Sequence, residues 1–485
     1  MADSRKPPAA AAAADGGVEE NAMAILDTFG IKDSRDLHED QTAFFEAVRS
    51  ACLAGDNPSP PSWRMHNAVF QILQEGSSLE LTIASFHLLM ELGKQYPRVY
   101  LTNSGPRQAL VIIKESWSPF LLGNNVACDE IGGNTSSTKH LFDSSKFASL
   151  IEDMVEAAND TSTNNRLKYL VNSRKAIVVI QRVCSTSSRV YKRVENMVLF
   201  QYLVNTLEAD FVPRKIAYKE SLDWVIIRES LLNALLASRK LVFKTFVKNC
   251  ISLLSQHQRE VEDNISVESA SDSDSSLTFS LLEFEREAFL SAKKLFIMVI
   301  NLDLIRKEAD KLGLTSRADG SWNPILEVIL DELPYNPINL SPFLLAFTEW
   351  KWKLEIILQY FSRYYVKPAV RTRRSDNSQE DLTVENVLSL FSTATSAKGI
   401  AKKMFPEVAQ LLLAHAYQVC VSVQVDSGKA DDATKMIGAS LLEISCKFVS
   451  AFQNLRNCNA EIEISQFEKE ALFTAATLIR KLQIE

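Results

Sequence analysis

The stretch from Ser77 to Lys94, SSLELTIASFHLLMELGK, decides the fold. Its apolar residues recur every three or four positions, which is typical of a helix with one apolar face. Four of them fall on the same face: Leu79, Ile83, Phe86 and Met90. Ser77 and Glu80 have the spacing of a capping box, in which both side chains bond to backbone N–H groups at the helix start. Residues 63–75 show the same period, and Gly76 suits the end of that first helix. The two segments therefore predict a helical hairpin.

The same spacing recurs along the rest of the chain. It predicts one or two long helices over residues 221–254 and further helices over 279–313, 348–365, 383–391, 406–425, 435–452 and 466–482. Only 15 glycines occur in 485 residues, and no Asn-Gly turn is present, so no β-hairpin is predicted. We expect an all-α protein whose amphipathic helices stack in an armadillo- or HEAT-like array.

The length predicts more than one core, because single cores stop growing at about 250–300 residues. Residues 257–277 contain six acids and six serines, HQREVEDNISVESASDSDSSL, and too few apolar groups to pack. We interpret them as a linker between an N-terminal lobe, 21–256, and a C-terminal lobe, 278–485. Residues 1–20 are expected to form a disordered tail rich in alanine and proline. Ser271 and Ser273 are candidate phosphorylation sites; the alternative is a plain solvated loop.

A basic run lies in the N-terminal half of an otherwise acidic chain, whose net charge is -7. Eight cations and no acid occur between Thr161 and Val194: Arg166, Lys168, Arg174, Lys175, Arg182, Arg189, Lys192 and Arg193. Local positive charge of this kind can bind phosphate, and Tyr169 and Tyr191 could stack on bases. The alternative is a solvated basic helix that faces an acidic part of its own fold.

A second basic cluster, KPAVRTRR, runs from Lys367 to Arg374 and precedes a polar segment. Its cations are Lys367, Arg371, Arg373 and Arg374. Short basic runs beside a proline are read by nuclear import receptors, although the pattern is common. Phosphate contact and a solvated loop are the alternatives.

No pattern for catalysis, metal binding or cofactor binding occurs in the sequence. Neither a G-x-x-x-x-G-K-[ST] loop nor a G-x-G-x-x-G motif is present, and no histidine lies three or four residues from another histidine or a cysteine. The seven cysteines are scattered and form no CxxC pair, which predicts a reducing compartment. His87 and His415 lie on apolar stripes, and we expect satisfied or groove-edge side chains. No secretory signal and no apolar run long enough for a bilayer is found. We expect an intracellular protein that binds no membrane and no small molecule.

Several collinear stretches resemble one plant family. They include KDSRD, FFEAVRSA and ESWSPF in the first half, LLASRK in the middle, and LTSRADGSWNPILEVILDEL, KWKLEIILQY, KPAVRTRR and KEALFTA in the second half. In this order and spacing the chain, from about Asn21 onwards, is similar to the plant negative regulators of systemic acquired resistance. The basic run near 165–193 is longer than the family pattern, so the resemblance assigns it no role.

The resemblance implies an all-helical nuclear protein that restrains defence genes before infection. It also implies a regulatory, non-SMC subunit of the structural-maintenance-of-chromosomes (SMC) five/six complex, paired with a second helical subunit and acting in DNA repair and recombination. It implies no catalytic residue. The acidic net charge favours protein partners, with DNA contact at most weak and indirect. The alternative function is a transcriptional corepressor that acts alone on DNA-bound factors.

Overall fold

Helices dominate the described chain. The computed structural model describes residues 24–25, 34–54, 58–75, 78–102, 109–113, 116–121, 141–159, 188–265, 278–316, 319, 325, 328–329, 337–347, 350–365, 382–425, 435–458 and 463–482. The helices of the first half are α1 Ser34–Cys52, α2 Trp63–Glu75, α3 Leu79–Gln95, α4 Ser144–Asn159, α5 Ser188–Ser221, α6 Trp224–Arg228, α7 Leu231–Leu236 and α8 Phe243–Ile265. Those of the second half are α9 Thr278–Lys311, α10 Pro337–Leu345, α11 Trp350–Tyr365, α12 Val384–Ser389, α13 Ala394–Ala401, α14 Pro406–Val425, α15 Leu441–Cys458 and α16 Gln466–Leu482. The all-α prediction is confirmed.

The chain divides into two compact units. The first contains residues 1–253 and 269–323, and the second contains 254–268 and 324–485. This division differs from the predicted lobes, because α9 belongs to the first unit and because α8 continues to Ile265, inside the predicted linker. The rest of that linker and the predicted tail, 1–20, lie outside the described residues.

The predicted hairpin is present as α2 and α3, with a shift in its cap. Ser78, rather than Ser77, is the N-cap residue of α3, and its side chain accepts a hydrogen bond from the N–H of Leu81. The buried face also differs from the predicted stripe, whose residues are only half-buried. The fully buried apolar positions are Leu81, Leu88, Leu89 and Leu92. Helix α3 is apolar on two faces, so periodicity alone could not choose between them.

Helices α5 and α9 form the centre of the first unit and run parallel. Each has 34 residues. Contacts between them advance in the same direction along both chains: Arg193 with Glu285 (3.0 Å), Glu208 with Lys294 (2.8 Å) and Lys215 with Asn301 (2.8 Å). Because parallel helices need a long connection, residues 222–277 must return the chain to the starting end of the pair.

Part of that return was predicted as one or two long helices but is divided into α6, α7 and the start of α8. Leu222 adopts a left-handed backbone conformation with φ 55°, which ends α5. Asp223 then caps α6 by accepting from the N–H of Val225, and Ser230 caps α7 by accepting from the N–H of Asn233. Short polar side chains at these positions compete with the helical hydrogen bonds, so the apolar period continues while the helix does not.

A two-stranded antiparallel sheet in the first unit was not predicted. It pairs β1, Val99–Thr102, with β2, Ala109–Ile112. Arg98 directly precedes β1. Its guanidinium Nε lies 3.9 Å from a carboxylate oxygen of Asp210 on α5. The sheet therefore packs on the helical centre of the unit instead of standing alone.

Helix α14 forms the centre of the second unit. Its sequence is apolar almost all round, and ten consecutive residues, 408–417, are buried. A helix of this composition must be covered on every side, and α10, α11, α15 and α16 pack against it. His415, on this helix, lies 3.4 Å from the hydroxyl of Ser341 and 4.3 Å from the ring of Phe467. Burial lowers the pKa of His415 from 6.5 to about 3, so the ring is neutral. The side chain lies in the core, as one of the two predicted settings requires, but its Nδ1 has no hydrogen-bond partner among the described residues.

Three predicted helices of the second unit match closely: α11, α14 and α16. The helix predicted over 435–452 begins later, at Leu441, because Gly438 adopts a left-handed φ of 87°. Ser440 and Glu443 then bond reciprocally, each side chain to the other's backbone N–H, which is a capping box.

Two glycines give a matched test of backbone conformation. Gly313 follows α9 with φ +69°, whereas Gly399 lies inside α13, and a Cβ added at either would meet nothing within 4 Å. We expect Gly313→Ala to lower the free energy of unfolding by about 1–2 kcal/mol, because only the left-handed backbone opposes the methyl group. Gly399→Ala should raise it by up to about 1 kcal/mol.

Urea unfolding, followed for the unit that carries each glycine, measures both changes. Shifts of the same sign would contradict the left-handed conformation of Gly313.

Candidate interaction surface

Exposed apolar side chains gather where α5 and α9 end. Six large apolar residues there are between 38% and 53% exposed: Val212, Ile216, Leu222, Val225, Leu312 and Leu314. Because the two helices run parallel, their C-terminal ends lie at the same end of the first unit. We call these six residues the end surface.

The sequence of α5 separates a buried polar face from this exposed apolar one. Asp210, Arg214 and Tyr218 recur every four residues and are buried, whereas Val212 and Ile216 lie one turn apart and face outward. Pro213 lies between them, inside the helix, and has no N–H to donate to the carbonyl of Ala209. The sequence shows these apolar residues but not which face is buried, so the end surface was not predicted.

Buried charges hold the elements beneath the end surface. Asp210 accepts from the N–H of Leu231 at 2.8 Å, and the Arg214 guanidinium lies 3.3 Å from the same carboxylate. Arg214 also donates to the carbonyl of Ile226 at 2.9 Å. These contacts fix α6 and α7 against α5, and with them the position of Val225.

The last turns of α9 are tied to the same region. The guanidinium of Arg306 lies 5.9 Å from the ring centre of Trp224, and it donates to the carbonyl of Asp319 at 3.0 Å. Arg306 is buried, with 4% of its surface exposed. The buried charges of Asp210, Arg214 and Arg306 hold the helices together, whereas the apolar residues of the end surface are exposed to solvent.

The end surface consists of aliphatic side chains, which bind apolar groups. Exposed apolar residues that gather in one region are candidates for an interaction site. Within the described ranges, no cluster of three or more histidine, cysteine, aspartate or glutamate side chains could hold a metal ion. No described helix has both the length and the apolar character that a bilayer span requires.

The structure describes only part of the predicted basic run. Arg193 is buried at 5% exposure and lies 3.0 Å from Glu285, so it faces an acidic residue of its own fold and is withdrawn from the predicted patch. Lys192 is exposed and pairs with Glu195 at 3.2 Å. Tyr191, predicted as a base-stacking residue, shares a hydrogen bond of 3.2 Å with the hydroxyl of Thr82. Arg193 and Tyr191 therefore support the packing of α5 within its unit, whereas the pair of Lys192 and Glu195 lies within α5 itself.

The remaining predicted site residues cannot be placed. Arg189 lies in the first turn of α5, but its side chain is outside the described residues, and Tyr169 is outside them altogether. The same holds for the rest of both basic clusters and for the serines of the linker: Arg166, Lys168, Arg174, Lys175, Arg182, Lys367, Arg371, Arg373, Arg374, Ser271 and Ser273.

Replacement of Arg193 distinguishes a structural from a nucleic-acid role. We expect Arg193→Ala to lower the free energy of unfolding by about 2–3 kcal/mol, because the largely buried charge of Glu285 would lose this ion pair. Lys294→Ala is the matched control, since it breaks an exposed ion pair between the same two helices. Its effect should stay below about 1 kcal/mol.

Chemical unfolding of both variants measures the difference. If Arg193→Ala kept wild-type stability and lost only affinity for oligonucleotides, the structural role of this residue would be wrong.

Comparisons with known proteins cover nearly the whole chain. The model of the SNI1 middle domain matches residues 98–173 and 169–349, and that of the SNI1 C-terminal domain matches residues 365–483. The middle-domain match includes α9 of the first unit, and it continues into the second unit as far as α10. No solved structure matches the chain.

One curated relative is similar over almost its full length. It is the protein from Arabidopsis thaliana named "Negative regulator of systemic acquired resistance SNI1", and it is 37% identical over 467 residues, which are 96% of this chain and 95% of the relative. Its name describes a regulator. The sequence identity, the extent of the alignment and both domain matches show that this chain belongs to the SNI1 family.

Proposed function

We propose that this protein is a non-enzymatic nuclear scaffold that represses defence genes and so restrains systemic acquired resistance. The observation that carries this proposal is the alignment with the Arabidopsis negative regulator, which extends over 96% of the chain. The helical architecture supports a binding role, because exposed apolar helix faces can receive a partner helix. Repression would then depend on what the scaffold binds.

The proposal includes a specific assembly. The protein acts as a regulatory, non-SMC subunit of the SMC five/six complex, together with a second helical subunit, and through it serves DNA repair and recombination. Support comes from the resemblance of the chain to its family and from its all-helical architecture. Its net charge of -7 favours protein contacts over autonomous binding to duplex DNA.

The end surface is the contact that we assign to the helical partner. Its exposed residues are aliphatic, and a helix that presents an apolar stripe could cover them, as helix-in-groove recognition requires. Charges of both signs border it: Lys219, Glu220, Asp223 and Arg228 are exposed. A partner helix with an apolar face and mixed flanking charges is therefore the matching occupant.

Purification of tagged protein from plant nuclei, with nuclease treatment, tests the assembly and the surface together. The wild type should retain SMC five/six subunits and a second helical protein. With the double variant Val212→Asp/Ile216→Asp, the recovered amount of the helical protein should fall at least about tenfold. The new charges would be desolvated at an apolar contact with no opposite charge to pair with them.

Val242→Asp is the matched control, since Val242 is 67% exposed in the same unit and lies outside the end surface. This variant should keep every partner. If only transcription factors or histone-modifying proteins were recovered with the wild type, the protein would instead be a corepressor that acts alone.

Nuclear entry is proposed to depend on the cluster at Lys367–Arg374. Arg371→Ala/Arg373→Ala/Arg374→Ala should leave a fluorescent fusion partly cytoplasmic, because import receptors bind the cations of such segments. At 54.3 kDa before the tag is added, the protein should cross nuclear pores slowly by diffusion.

A control with the same change of charge is Arg456→Ala/Lys469→Ala/Arg480→Ala, at three exposed positions of the second unit. It should remain nuclear. Equal nuclear accumulation of both triple variants would contradict the import role and favour the alternative that the cluster is a solvated loop.

A further inference from the structure

The turn between α13 and α14 exposes three lysines and one phenylalanine. Lys398 and Lys402 lie one helical turn apart, Lys403 follows directly, and Phe405 is 63% exposed. We call residues 398–405 the lysine turn. It belongs to the second unit and shares no residue with the end surface.

The backbone fixes the outward position of the phenylalanine. The N–H groups of Lys403 and Met404 both donate to the carbonyl of Ile400, at 2.8 and 2.9 Å, which makes the turn tight. Met404 is buried, and the carbonyl of Phe405 accepts the first hydrogen bond of α14 from Ala409 at 3.0 Å. The backbone of Phe405 is thus held on both sides, and its side chain lies in solvent.

Gly399 leaves the helix backbone bare between two of the lysines. Glycine inside a helix is unfavourable compared with alanine, and it usually persists where space is tight. Here a Cβ would meet nothing within 4 Å, and the conformation is helical, so packing within the described chain does not require glycine. An absent side chain at an exposed position permits a ligand to approach the backbone closely.

None of the three lysines forms an ion pair with a described residue, in contrast to Lys447 on the neighbouring α15, which lies 2.7 Å from Glu385. The carboxylate nearest in sequence is Glu407, which is half-buried in the first turn of α14. Positive charge therefore exceeds negative charge along this segment, although the whole chain is acidic.

We propose that the lysine turn binds single-stranded nucleic acid. The lysines contact consecutive phosphates, the strand passes over Gly399, and an unpaired base stacks on Phe405. Grooves that combine cations with exposed aromatic rings bind single strands without sequence preference. Bases in a duplex are already stacked on one another, so an exposed ring favours the single strand. An acidic peptide would satisfy the lysines but gives no reason for the ring.

Fluorescence anisotropy of the full-length protein with a labelled oligothymidine of about 15 nucleotides tests this site. Lys398→Ala/Lys402→Ala/Lys403→Ala should weaken binding at least about tenfold. It should also reduce the slope of log affinity against log salt by about 2, since each phosphate contact on a single strand contributes about 0.7. The control with equal charge change, Arg456→Ala/Lys469→Ala/Arg480→Ala, should keep both values.

The aromatic and glycine positions have their own variants. Phe405→Ala should weaken binding at least about fivefold, as loss of a stacked base does. Phe473→Ala, which removes a phenylalanine that is 75% exposed elsewhere in the same unit, should not. Gly399→Leu should also weaken binding while the melting temperature stays at or above that of the wild type, because a Cβ there meets nothing within 4 Å and leucine favours the helix more than glycine does.

Three results would overturn the proposal: equal loss of affinity in the control triple variant, equal or tighter binding of duplex of the same length, or displacement of the lysine turn's ligand by polyglutamate but not by unlabelled oligothymidine. The site is independent of the proposed assembly, so its failure would leave the partner contacts of the end surface untouched.

Discussion

The parallel packing of α5 against α9 is the contact on which the first unit depends. Both helices have 34 residues and contribute side chains that are distant in sequence, such as Arg193 and Glu285. The hairpin of α2 and α3, the small sheet and the short helices α6 and α7 all pack on α5. A change that displaces α5 when the pair separates would therefore disturb all of these elements. The contact between α5 and α9 also explains why α9 belongs to the first unit, although an acidic segment separates it from the N-terminal helices in the sequence.

Much of the helical architecture follows from sequence because its cause is local. The three- and four-residue spacing of apolar positions predicted α2, α3, α11, α14 and α16 within about two residues of their ends. Errors arose where short polar residues bond to the backbone, since Asp223 and Ser230 start new helices without interrupting the apolar pattern. The strand Val99–Thr102 was missed because a four-residue strand has too little periodicity to recognise.

The candidate sites were harder to predict because they depend on distant residues. A run of cations indicates a solvated or ligand-binding face, yet Arg193 is neutralised by a glutamate that follows an intervening acidic linker. The end surface is formed by helix ends that only the fold brings together. The lysine turn is distinguished because its lysines form no ion pair with a described residue, which the sequence does not show. Burial and pairing, rather than composition, separate structural charges from available ones.

Parallel alignment also determines the electric field at one end of the first unit. The dipoles of neighbouring antiparallel helices offset each other, whereas those of α5 and α9 add, so that two C-termini, each equivalent to about half a negative charge, lie side by side. Lys219 and Lys311 occupy the last turns of the two helices and reduce this potential without abolishing it. A helix that approaches there is favoured when it points its N-terminus, or a lysine or arginine, at the pair. The direction of the two longest helices thus gives a polarity to any helix that joins them.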